Sequence, residues 1–222
     1  MDSLILTNCL TNVFLDKSLF GFAAINDELA AATSCKSAIV TLMPYPDLKY
    51  IYNPVEYFQM LEELRIIHGE KLNEIKKFLD INGVKYASPP ASPKDDNKYL
   101  AEFSYKWAAI YAGLGFIGKN DVFVHEKYAQ RVRISCLLVD LALPVYTGKV
   151  KSKCGTCDLC VRACPHHFIS GRTWSETIFR GELIDYYKCA LMSKHNGDGL
   201  HYLCSFCALA CQYPACQYPA CV

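Results

Sequence analysis

Ten of the thirteen cysteines of this 222-residue chain lie between Cys154 and Cys221, and that crowding constrains the fold more than any other feature. The other three, Cys9, Cys35 and Cys136, stand apart. A chain of this length can bury a real core, so it needs no disulfide scaffold to fold. In a reducing compartment, clustered cysteines bind metal more often than they pair. A cytoplasmic location is the expectation: the N-terminus carries Asp2 and no Lys or Arg before Lys17, unlike a signal peptide. No uncharged apolar run reaches the roughly 18 residues of a membrane span. The chemistry is therefore expected in the last third of the chain.

The residues before that third read as mixed α and β. Ser37–Met43 is a short β-branched apolar run stopped by Pro44 and Pro46, the pattern of a buried strand. From Val55 to Asp80, apolar residues recur at steps of three and four, which predicts one long helix or two short ones ending at Asn82-Gly83. Val84–Ala87 reads as a short strand, and the proline-rich, charged stretch 88–98 as an exposed loop. A helix is expected over Tyr99–Leu114 with Trp107 on its apolar side. Strands are expected over Asp121–His125 and Arg131–Asp140, the latter with Arg131, Arg133 and Ser135 on a wet face and Cys136 as a buried thiol. The stretch Thr147–Lys153 marks a boundary, giving a mixed α/β domain over 1–148 and a cysteine-rich module over 149–222, an α+β chain in all.

Cys154, Cys157, Cys160 and Cys164, followed by Pro165, form the C-x2-C-x2-C-x3-C-P run of bacterial ferredoxins. Three thiolates at this spacing can hold three corners of a [4Fe–4S] cube while the fourth points to a second cluster. Zinc sites more often use two separated cysteine pairs. Cys204, Cys207 and Cys211 repeat the last three positions of the run, so two clusters are expected. The eighth ligand is Cys189 or His201; ligand softness favours the thiolate. Crossing the ligands as two-cluster ferredoxins do gives Cys154, Cys157, Cys160 and Cys211 to one cluster. Cys164, Cys189, Cys204 and Cys207 hold the other. Cys216 and Cys221 close an immediate repeat of a five-residue unit, and either could replace Cys211, although Cys211 alone has the motif spacing. His166 and His167 read as surface residues.

Upstream of this module stands Ala112-Gly-Leu-Gly-Phe-Ile-Gly-Lys-Asn120. With Ser37–Tyr45, Leu138–Pro144 and the double cysteine motif, it resembles the epoxyqueuosine reductases and the related cobalamin-dependent reductive dehalogenases. The glycines of such a stretch also suit a helix C-cap at Gly113 or Gly115 followed by a turn. The resemblance implies a cobalamin-reductase-like domain before a ferredoxin-like double-cluster module, with Cys189 as the intervening ligand. It also implies a cobalamin bordered by Gly115, Gly118, Lys119 and Asn120, and a short form without the family's C-terminal helical-repeat domain. The family's catalytic Asp falls near Tyr99, where this chain has none, so no catalytic residue is assigned. Ala129–Arg133 replaces the family's aromatic stretch. The expected activity is a reductase that passes electrons from an external donor, such as a ferredoxin or flavodoxin, to a corrinoid or bound substrate. The alternative is an electron-transfer protein without cobalamin. A net charge of +1 lends nucleic acid no support, so tRNA enters as a partner only through the resemblance. The basic run Lys149, Lys151 and Lys153 could steer an acidic redox partner.

Overall fold

The computed structural model describes residues 2–45, 54–90, 103–194, 204 and 206–213. Helix α1 (Ser3–Phe14) starts where the Asp2 side chain accepts the Leu4 amide, and it buries Leu6, Leu10 and Phe14 at steps of four. A 3-10 turn (Lys17–Leu19) leads into β1 (Phe20–Ala24). Helix α2 (Asp27–Thr33) is capped by Asn26, and β2 (Ser37–Pro44) follows. The 28-residue helix α3 (Pro54–Ile81) is the single long helix of the two alternatives, ended at Gly83 with φ of 67°. Strand β3 (Tyr86–Ala87) is shorter than expected. Most of the expected loop over 88–98 lies outside the described residues.

The expected helix over Tyr99–Leu114 is corrected at both ends. Its first four residues lie outside the described ones, and α4 spans only Tyr105–Tyr111. The Ser104 hydroxyl accepts the Trp107 amide and opens the helix there. Gly113, with φ of 72°, closes it through paired bonds from the Gly113 amide to Ile110 O and from the Leu114 amide to Ala109 O. Of the two glycines offered as a cap, Gly113 is therefore the one. Gly115 starts β4 (Gly115–Ile117), which pairs in antiparallel fashion with β5 (Phe123–His125). A Cβ on Gly115 would stand 2.2 Å from Val124 O, so this position packs two strands together.

Strand β6 (Val132–Val139) lies between β2 and β3 in an antiparallel sheet of order β1-β2-β6-β3. Cys136 is buried, as expected, and burial pushes its thiol pKa well up. The face of β6 expected to be wet is half-buried instead, because α3 lays His68 across it. His68 Nε2 is 2.9 Å from Thr41 Oγ1, and Nδ1 is 3.4 Å from Ser135 Oγ. Burial, then the charges of Arg133 and Lys71, bring its pKa down to about 4. The unfolded chain therefore binds a proton near pH 6.5 that the folded chain refuses until about pH 4. Stability should be full above pH 6.5 and fall by about 3 kcal/mol as pH drops through that window. Urea titrations at pH 7 and pH 4.5 measure this, and His68→Phe should flatten the acid limb.

Residues 142–154 carry no regular structure, and the expected boundary at 148 falls among them. The core nevertheless runs past them: Trp174 and Leu183 belong to the same buried cluster as β2, β6 and α4. The cysteine-rich half consists of short helices: α5 (Leu159–Ala163), α6 (Arg180–Leu183), α7 (Tyr186–Lys194) and α8 (Phe206–Leu209). Among the described residues no helix is long and apolar enough to cross a membrane.

Candidate metal centre

Two short helices place the thiols. Cys154 and Cys157 occupy the turn before α5, closed by the Cys157 amide on Cys154 O at 3.0 Å and by Gly155 with φ of 52°. Cys160 lies on α5 and Cys164 just beyond it. Cys207 lies on α8, which packs against α5, and Cys211 follows its end. Cys189 comes from α7.

The thiols lie close to one another, and Cys207 neighbours members of both expected groups. Burial pushes the Cys160 thiol up to about 12, and neighbouring Cys154, Cys207, Cys211 and Cys157 push the same way. Burial raises Cys189 to about 11, helped by Cys204, Cys207 and Cys164. Cys207 is raised by burial and by Cys204 and Cys164, while a hydrogen bond from Asn120 acts in the opposite direction. Cys211 is raised by burial, against a backbone bond from Tyr213. The first group surrounds a cavity bounded by Cys154, Cys157, Cys160 and Cys211, with Phe116, Lys119, Asn120 and Tyr213 on its other walls. The thiols ring this space instead of meeting at a point: among the described residues no three His, Cys, Asp or Glu side chains converge closely enough for one metal ion. Buried thiols with raised pKa values give up their protons only to a strong counter-charge, which is what metal binding supplies. Soft donors with amides aimed at sulfur fit an iron–sulfur cluster. Cys204 is exposed, His201 lies outside the described residues, as do Cys216 and Cys221, and His166 and His167 are exposed as expected.

The β4–β5 hairpin supplies the remaining walls. Gly118 to Asp121 form its turn, closed by the Asp121 amide on Gly118 O at 3.0 Å. The two central residues of that turn, Lys119 and Asn120, are only 7% and 2% exposed. Hairpin tips ordinarily face water; this one is pressed into the cysteine-rich half. Lys119 Nζ donates to Cys157 O at 2.8 Å. Asn120 and Gln130 exchange two amide hydrogen bonds of 3.0 and 2.9 Å. The glycine faces nearby are filled by protein: Val124 O and the Phe123 ring abut Gly115, and Asn120 Oδ1 and Gln130 Nε2 abut Gly118.

Asp121, next in the chain, has φ of 59° and a buried carboxylate. It accepts from Lys106 Nζ on α4 and from Arg180 Nε on α6 at 2.6 Å. Lys106 Nζ also donates to Asp121 O at 2.7 Å. Burial lowers the Lys106 pKa, with the Asp121 carboxylate opposing the shift. Asp121 thus ties the helix before the hairpin to the helix that leads to Cys189.

No model of a protein family matches the chain. Similarity to curated proteins does appear. The chain is 29% identical over 123 residues to epoxyqueuosine reductase of Leadbetterella byssophila, covering 55% of the chain and 35% of that protein. It is 34% identical over 84 residues to the enzyme of Cyclobacterium marinum, covering 38% and 24%. In three dimensions it aligns with an epoxyqueuosine reductase crystallised with an epoxyqueuosine-modified tRNA-Tyr stem loop. The TM-score is 0.61 at 15% identity, over 94% of this chain and 64% of that one. The fold is that of epoxyqueuosine reductases. The chain thus matches about a third or less of the length of these curated relatives and under two thirds of the solved structure.

Within the epoxyqueuosine-reductase fold, the sequence reading proposes the cysteine ligands from motif spacing, with Cys189 added by ligand softness and the resemblance. It singled out Gly115, Gly118, Lys119 and Asn120 as cofactor-binding, and the structure puts Lys119 and Asn120 against the thiols. It missed Gln130, Asp121 and Arg180. A polar residue after Gly-Lys-Asn that must adopt positive φ was the one available signal, since Asp tolerates that region better than most residues. The segment matching the family's catalytic loop, around Tyr99, lies outside the described residues.

Proposed function

We propose that the chain is an epoxyqueuosine-reductase-like oxidoreductase that carries electrons through two [4Fe–4S] clusters. What supports this reading is the spacing of the two cysteine motifs and the cavity lined by Cys154, Cys157, Cys160 and Cys211. When bound, such clusters pass one electron at a time between a donor and an acceptor. The chain's own residues hold the thiols in burial, exclude water from the cavity, and aim amide donors at sulfur. Lys149, Lys151 and Lys153 are exposed beside the first motif and offer a docking stretch to an acidic donor such as a ferredoxin or flavodoxin. Lys153 is shared with Glu126 through an ion pair. The substrate proposed from the relatives is the epoxide of a modified tRNA nucleoside.

A second reading, an electron carrier without cobalamin, draws on a separate observation. The free faces of Gly115 and Gly118 are filled by Val124, Phe123, Asn120 and Gln130, so they offer no cradle to a corrinoid. Elemental analysis of protein purified without oxygen and incubated with a corrinoid separates the readings. About eight irons with one cobalt favour the reductase, and about eight irons alone favour the carrier. Zinc without iron overturns both.

A further inference from the structure

We infer that Lys119, at the hairpin tip, raises the reduction potential of the cluster expected among Cys154, Cys157, Cys160 and Cys211 by acting as its buried counter-charge. The inference rests on the two-cluster reading above. Its starting point is the placement of a lysine that ought to be in water. Lys119 sits at the centre of a two-residue turn, is 7% exposed, and reaches one carbonyl oxygen, that of Cys157. Among the described residues it makes no ion pair, whereas Lys106, Lys127, Lys153 and Lys188 each find a carboxylate. A buried ammonium without a carboxylate costs several kcal/mol unless another negative charge faces it. Lys119 lines the cavity ringed by Cys154, Cys157, Cys160 and Cys211, and four thiolates with their cluster are net negative. The charge that answers Lys119 is therefore the one this cavity is built to hold.

Asn120 lines the same cavity, with its side chain held by Gln130 and the Val122 amide. Reduction adds one electron, and so one negative charge, to a cluster and its thiolates. A fixed cation or an N–H donor at sulfur stabilises that added charge and raises the potential.

The test is a potentiometric titration of the iron-loaded full chain, followed by electron paramagnetic resonance. Unaltered protein should show two one-electron transitions and about eight irons per chain. Lys119→Met should move one transition to lower potential and leave the other in place. The variant loaded with iron and neither transition displaced would overturn the inference. Should Lys119→Met fail to take up iron, Lys119→Arg decides: loading with an unshifted potential supports the charge role, and failure of both assigns Lys119 to packing alone and overturns it. A deficit of iron in the unaltered chain instead removes the two-cluster reading itself, before any variant is compared.

Discussion

Substituting Cys157 by serine is expected to remove roughly half or more of the bound iron and to loosen the whole cysteine-rich half. Cys157 serves twice. Its thiol lines the cavity with Cys154, Cys160 and Cys211, and its carbonyl receives the buried ammonium of Lys119. The helices around it are four to nine residues long, too short to persist without the metal they surround. The crossed assignment sharpens the expectation. Cys160 lies on α5 and Cys211 just beyond α8, so losing the cluster they would share should loosen the packing of both helices. Iron and sulfide analysis with far-ultraviolet circular dichroism measures the effect. Full iron content in the Cys157→Ser protein would show that this thiol is not a ligand.

The second large effect is expected at Asp121. Asp121→Ala should destabilise the folded chain by about 3 kcal/mol, because it leaves Lys106 and Arg180 facing each other across a gap without their shared carboxylate. Part of that loss is backbone strain, since alanine tolerates φ of 59° poorly. Asp121→Asn separates the two contributions: it keeps a residue at home in the left-handed region and removes only the charge. Urea unfolding should rank wild type above Asn and Asn above Ala. Equal stabilities for all three would dismiss the ion-pair bridge.

What could be read in advance followed from how local the determinants were. β2 announces itself because Ser37–Met43 is buried on both faces, and so is apolar at every position but Ser37 and Thr41. Helix α3 shows a plain period of three and four, and the cysteine motif carries its geometry in its spacing. The limits of α4 were misread because apolar periodicity continues through Phe103 and Leu114, while the determinants of the ends are Ser104 and Gly113. Strand β5 lies within the expected strand Asp121–His125, but its partner β4 is hidden in a glycine-rich stretch whose glycines serve close strand packing at Gly115 and a helix cap at Gly113. His68 was passed over for a different reason. Nothing in α3 marks a histidine as buried until Thr41 and Ser135, far away in sequence, are brought beneath it. The burial of Lys119 is of the same kind, since only the docked cysteine-rich half covers it.

The chain has two tryptophans, and they touch. Trp107 on α4 meets Trp174 of the cysteine-rich half with ring centroids 5.5 Å apart, edge to face. All of the protein's indole emission therefore arises at one seam, where the core of the sheet meets the half that carries the thiols. Any event that parts the two halves, and any chromophore assembled among the cysteines, will register in the same optical signal, so the molecule carries its own gauge of maturation without a label.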